Sequence, residues 1–120
     1  MCGIAGFHGD FPSSWLDVAN TLQAHRGPDS KGTWSAPSLG LAHTRLSIID
    51  VSPLGQQPMA SADGRWQLVF NGEIYNFQEI RQQLSSLGIE FRGHSDTEVL
   101  LVLWQMRGPA CLSQLNGMFA

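Results

Sequence analysis

WQLVFNGEIYNFQEIRQQLSSLGIEFRGHSDTEVLLVLWQMRGP, residues 66–109, decides the fold class, because a strand pattern gives way there to two helix patterns. Residues 66–71 are rich in β-formers, which predicts a strand. Asn76 with Glu79 three places on is a capping-box arrangement. Phe77, Ile80, Leu84 and Leu87 then share one helical face, and Gly88 supplies a stop. A second helix is predicted from Ser95, with Glu98 at N3, through Val99, Leu100, Val102, Leu103 and Met106 to Gly108-Pro109. It is apolar nearly all round, so burial on most sides is expected. Ile89–Arg92, between the helices, reads as one more short strand.

Upstream, residues 2–8, 32–36 and 39–44 are strand-like, divided by Pro37, Gly40, Pro53, Gly55 and Pro58. Asp63-Gly64 is a hairpin signal. Residues 14–24 carry a weak helical face of Leu16, Ala19 and Leu22. His25-Arg26-Gly27-Pro28-Asp29-Ser30 is a turn by composition. Downstream, a short helix over Pro109–Asn116 and a strand beginning at Met118-Phe119-Ala120 are expected. Strands, then helices, then a strand implies an α+β arrangement in one domain, 1–120, without repeats or low-complexity segments.

The totals agree with one folded core. The chain has 120 residues, 42% hydrophobic and 14% charged, with net charge −3. This balance gives no reason to expect nucleic acid or an anionic membrane as partner. Four Trp and six Phe supply area to bury, and thirteen Gly and six Pro imply many turns. Neither a secretory leader nor a membrane-length apolar run is visible; the longest run is Val99–Trp104. The two cysteines are expected to be reduced thiols, and the protein cytoplasmic.

Cys2 carries the first chemical signal. It follows the initiator Met1 and precedes a glycine, and a small second residue permits removal of Met1. The freed α-amine would then sit on the same residue as the thiol. An α-amine titrates at about pH 8, so it can take the thiol proton without a histidine. Thiolate attack on a carboxamide gives an acyl-enzyme and expels ammonia. Taken alone, a cysteine at position 2 is more often incidental.

Its company decides. Met-Cys-Gly-Ile-Ala-Gly (1–6), Arg-Gly-Pro-Asp-Ser (26–30), Arg-Leu-Ser-Ile-Ile-Asp (45–50), Gln-Pro-Met (57–59), Asn-Gly-Glu-Ile-Tyr-Asn (71–76), Ser-Asp-Thr-Glu (95–98) and Leu-Asn-Gly-Met-Phe-Ala (115–120) occur in this order. Each block is similar to one in the glutaminase domain, a class II glutamine amidotransferase, of glutamine-hydrolysing asparagine synthetases. The blocks at 45–49 and 71–76 distinguish this type from purine and amino-sugar amidotransferases.

The resemblance implies roles that also make physical sense. Arg45 would hold the α-carboxylate of L-glutamine with its planar fork, and the backbone of Leu46, Ile48 and Ile49 would line the same pocket. Glu73 and Asp96 would bind the α-ammonium. Asn71 and Gly72 would form the oxyanion hole, and Arg26 would order the loop around Cys2. Out of context, the three charges read as a solvated surface, Asp96 as an acid at a helix start, and Asn71-Gly72 as a hairpin turn.

The fold so implied is of the N-terminal-nucleophile hydrolase type: antiparallel sheets stacked face to face with helices outside, and Cys2 at the start of a central strand. The resemblance also implies that this domain continues past residue 120 and that an ATP-using synthetase domain lies elsewhere in the full-length protein. ATP and magnesium are expected only there, since no P-loop motif occurs here, and no cofactor is expected in this chain. An incomplete sandwich would expose a sheet edge, favouring a homo-oligomer. Cys2, His8, His25, His43 and His94 match no metal-ligand spacing, so no metal is expected. His43 reads as a satisfied interior or loop histidine and Cys111 as a buried, inert thiol. Two other readings stay open: an inactive glutamine-binding or structural module, and an N-terminal-nucleophile amidase with another substrate.

Overall fold

The computed structural model describes residues 1–120. Three small antiparallel sheets and three helices form an α+β arrangement. Strands β1 (Gly3–His8), β2 (Ser30–Ala36) and β3 (Leu39–Arg45) form the largest sheet, in the order β1-β3-β2. β4 (Met59–Ala60) pairs with β5 (Gln67–Leu68), and β6 (Gly72–Ile74) with β7 (Gly117–Phe119). The helices are α1 (Ser14–Leu22), α2 (Phe77–Ser86) and α3 (Asp96–Arg107). Short 3-10 turns occupy Pro53–Gly55 and Gly108–Gln114.

β3 is the central strand of its sheet, and β1 lies at an edge. Cys2 therefore precedes an edge strand of this sheet rather than a central one, while Arg45 ends the central strand. β1 and β3 pair in register from Gly3↔Thr44 to His8↔Leu39, which brings residue 2 beside residues 45 and 46. Helix α1 fastens this end of the sheet: Asn20 donates to the Gly32 carbonyl, Gln23 to that of Ile4, and Thr44 to that of Gln23. Its inner face is Leu16 and Asn20; Leu22, expected inside, is exposed.

The second layer of packing is the hydrophobic cluster of Phe70, Ile74, Ile80, Leu84, Val99, Leu100, Leu103 and Cys111, which joins β6, α2, α3 and the 3-10 turn. Helix α3 is buried from Asp96 through Leu101 and at Leu103, as its all-round apolar pattern predicts, although Met106 reaches solvent. Ser95 caps it, its hydroxyl accepting from the Glu98 N–H at 3.2 Å. Gly88 and Gly108 end α2 and α3 with positive φ. The Asp63-Gly64 hairpin forms, with Ser61 N–H donating to the Trp66 carbonyl.

Several local expectations are corrected. The Asn76 cap bond does not form, because the Asn76 amide is taken by long-range partners: it donates to the Gln114 carbonyl and accepts from the Asn116 N–H. Residues 89–92 form no strand. Glu98 accepts the Arg92 and Gly93 N–H groups instead, folding that segment around a carboxylate. The strand expected over 66–71 breaks after Leu68 and pairing resumes with a different partner at Asn71, so one sequence strand serves two sheets. Asn71-Gly72 is not a hairpin turn; it opens β6. Leu87, placed on the inner face of α2 by its spacing, is exposed at the helix end.

Candidate functional site

One cleft gathers nine of the ten residues singled out in the sequence. It has a volume of about 150 Å³, and its walls include Cys2, Arg45, Leu46, Ile48, Ile49, Asn71, Gly72, Glu73 and Asp96. These come from four separate pieces of the chain, so tertiary packing alone assembles them. Arg26, the tenth, lies outside the wall, and its Nε donates to the Cys2 carbonyl at 3.0 Å.

The thiol is held at the mouth of the β1–β3 pair. Leu46 N–H donates to Cys2 Sγ at 3.4 Å, and the Leu46 carbonyl lies 3.7 Å from the same sulfur. No histidine contacts it. The 26–30 turn packs against β3 from behind: Asp29 N–H donates to the Arg45 carbonyl, and the Asp29 carboxylate accepts from Ser47 N–H at 2.7 Å. Gly27 is required there, since a side chain would strike the Thr44 carbonyl.

Arg45 is buried, yet no carboxylate pairs with it; the chain's one ion pair is Arg92–Glu98. Its guanidinium donates to the carbonyls of Asp50 and Ser52, which curls residues 46–52 around it. Two of its five N–H groups serve that loop, and the remainder have no protein acceptor. A buried cation with no direct ion-pair partner beside a cleft suits an anionic ligand group. Asp50 steadies the loop, accepting from Ser52 N–H and Oγ and from His94 N–H. Burial opposes its ionisation, but these donors, with the Arg45 charge, hold its pKa below the ordinary aspartate value.

The same cleft is lined by Glu73 and Asp96, two carboxylates neither of which pairs with a cation. Asp96 is the first residue of α3; its carboxylate accepts from Ile74 N–H at 3.1 Å and Thr97 N–H at 2.9 Å. Burial pushes its pKa up; those two donors pull the other way, and the Glu73 charge adds to the rise. Like charges held together in this way suit a cationic ligand group.

β6 also supplies backbone donors to the site. Asn71 exchanges both backbone bonds with Ala120 at 2.9 Å, so Gly72 falls at a non-hydrogen-bonded position opposite Phe119. The N–H groups of Gly72 and Ile74 then point away from β7; that of Ile74 reaches Asp96, and that of Gly72 is left free at the cleft. Gly72 cannot carry a side chain, since its Cβ would strike the Met118 carbonyl and the Phe119 backbone. The Asn71 side chain makes no hydrogen bond within the chain; its Oδ1 is buried and unpartnered.

Among the cleft-lining residues not singled out in the sequence are Asp50, Gln57, Phe70 and Thr97. Gln57 lies in the quoted Gln-Pro-Met block, and Asp50 and Thr97 lie in two others; their bonds depend on partners distant in the chain. His43 is interior, as expected, but only half satisfied. Its Nε2 faces the Phe70 carbonyl at 3.2 Å and so carries the proton, while Nδ1 is buried without a partner. Burial lowers its pKa to about 4, against the Phe70 bond and assisted by the Arg45 charge, so the ring is neutral. Cys111 is fully buried and burial raises its pKa, as befits an inert thiol. No cluster of metal-ligating side chains forms, and no helix is long and apolar enough to cross a membrane.

A family model described as a glutamine amidotransferase domain matches residues 1–120. Among curated relatives, a glutamine-hydrolysing asparagine synthetase of Bacillus subtilis is 39% identical over 127 aligned residues covering 100% of this chain. Asparagine synthetase B of Escherichia coli, also named as glutamine-hydrolysing, is 44% identical over 99 residues, 82% of this chain. Amidase chry2 of Gibberella zeae is 38% identical over 136 residues, 100% of this chain. The chain spans about one fifth of the length of each, 20%, 18% and 20% respectively.

Proposed function

The chain belongs to the glutamine amidotransferase domain family, and from that premise we propose that it hydrolyses L-glutamine to glutamate and ammonia, with Cys2 as the nucleophile. The observation that carries this reading is that one cleft is lined by a buried Arg45 without an ion-pair partner and by the Glu73 and Asp96 carboxylates, together with the Cys2 thiol and Gly72. One cation and two anions are the complement of a free α-amino acid.

In this reading Met1 is removed and the Cys2 α-amine takes the thiol proton. The thiolate attacks the glutamine δ-carbon, and the carbonyl oxygen becomes an oxyanion. The Asn71 side-chain amide and Gly72 N–H donate to it. Collapse breaks the C–N bond, the α-ammonium returns its proton to the leaving nitrogen, and ammonia departs. Water attack on the thioester releases glutamate and restores Cys2. Arg45 grips the α-carboxylate beside the Leu46, Ile48 and Ile49 backbone, Glu73 and Asp96 grip the α-ammonium, and Arg26 holds the Cys2 carbonyl. The fold is read as the N-terminal-nucleophile type. In the full-length protein, ammonia would pass to an acceptor in a synthetase domain, in keeping with the synthetase names of two relatives; ATP and magnesium would belong to that domain. The setting is read as cytoplasmic.

The test is intact mass after exposure to 6-diazo-5-oxo-norleucine, a glutamine analogue that alkylates such nucleophiles. Loss of Met1 together with one adduct at Cys2, blocked by glutamine, is the expected result. Absence of an adduct with Met1 gone refutes the hydrolase reading; glutamine binding measured on that sample would then leave a binding module.

A further inference from the structure

Phe70 sits where the chain leaves one sheet and enters another. β5 ends at Leu68 and pairing with β7 resumes at Asn71, so the Phe70 peptide groups have no ladder partner. Phe70 is buried, and unmet N–H and C=O groups there would be expensive. Two side chains meet them. Gln57 Oε1 accepts from Phe70 N–H at 2.6 Å, and His43 Nε2 donates to the Phe70 carbonyl at 3.2 Å. The Gln57 amide does not stop there: its Nε2 donates to Thr97 Oγ1 at 3.3 Å. Gln57 and Thr97 are themselves buried, and Gly32 of β2 packs directly against the Gln57 carbonyl.

We infer that Gln57 is a positioning residue, whose amide fixes the strand carrying Asn71 and Gly72 against the α3 N-terminus carrying Asp96. One end of the amide holds the N–H of Phe70, the residue immediately before Asn71; the other holds the residue immediately after Asp96. The separation between the oxyanion donors and the α-ammonium site is thereby set by this rigid planar group together with the direct bond from Ile74 N–H to the Asp96 carboxylate. This deepens the glutaminase reading and rests on it. Gln57 and Thr97 act through neighbours: removing their link should loosen the donors' aim at the transition state more than it weakens ground-state binding of the amino acid.

The test compares Gln57→Leu, Thr97→Val and Thr97→Ser with the unsubstituted protein. Glutamine hydrolysis gives kcat and KM, calorimetry gives L-glutamate affinity, and thermal unfolding gives Tm. Gln57→Leu should lower kcat on the order of 10-fold or more, less than the roughly 10²–10³ expected for removing an oxyanion donor outright, with KM and glutamate affinity changed by under about 3-fold. Thr97→Val should show the same split in smaller degree, and Thr97→Ser should restore most of what Thr97→Val loses. Thr97→Val decides the matter if Gln57→Leu does not fold. An unsubstituted protein that hydrolyses glutamine, with variants whose kcat matches it, overturns the inference alone. Parallel loss of kcat, glutamate affinity and Tm overturns it in favour of a purely structural bond. Failure of the unsubstituted protein to hydrolyse glutamine overturns the glutaminase reading and this inference with it.

Discussion

Acidification should destabilise this fold, with His43 contributing between neutral and weakly acidic pH. The ring is 1% exposed, its Nε2 proton is committed to the Phe70 carbonyl, and its Nδ1 faces no acceptor. Protonating Nδ1 would create a buried cation near Arg45, which is why burial holds the pKa at about 4. In the unfolded chain the same ring titrates near 6.5. The unfolded state therefore binds the proton first, so stability present at neutral pH is lost as pH falls from about 6.5 towards 4. From about 6.5 to about 4 the whole window corresponds to about 3 kcal/mol, of which about 2 kcal/mol is lost between roughly pH 7 and pH 5. Asp96 works in the opposite direction, since its raised pKa makes the folded state take up a proton more readily. Its contribution cancels if the comparison is with His43→Gln, which keeps an N–H donor for Phe70 and cannot titrate. The assay is urea unfolding at both pH values for both proteins, read as the difference of differences. The unsubstituted protein should lose about 2 kcal/mol more than the variant. Equal losses would refute the account, because they would mean that the buried ring accepts its proton at no cost.

Other consequences concern the cleft. Asn71→Ala should lower kcat for glutamine hydrolysis on the order of 10²–10³-fold with little change in KM, because the lost donor acts on the oxyanion; a change in KM alone would place Asn71 in substrate binding instead. Arg45→Lys should raise KM roughly 10- to 100-fold, since an ammonium cannot replace a bidentate fork while also holding the Asp50 and Ser52 carbonyls; steady-state kinetics with glutamine checks it. Glutamine affinity should fall as pH drops through the Asp96 pKa, at a higher pH than an ordinary aspartate would give, and calorimetry across weakly acidic pH reads this. Asp96→Asn should remove that pH dependence and weaken binding throughout.

Much of the molecule was legible in the residues in order. The two C-terminal helices followed from periodicity and stop signals, because burial of one or all faces of a helix writes itself locally at 3.6-residue spacing. Gly88, Gly108 and the Asp63-Gly64 turn were equally local, since backbone conformation there depends on the residue itself. The ordered blocks around Cys2, Arg45, Asn71 and Asp96 named the family and the members of the cleft. The tertiary structure decided what depends on partners far along the chain. It placed Cys2 before an edge strand and Arg45 at the end of the central one, because β3 has backbone partners on both sides. It drew the Asn76 amide away from its helix to residues 114–116, as a distant acceptor and donor outcompeted the local cap. It split one strand between two sheets and met the stranded Phe70 peptide with Gln57 and His43, bonds across 13 and 27 residues. Local pattern records which faces are buried, whereas a polar side chain in the interior is defined by the group it must satisfy, and only the folded chain brings that group to it.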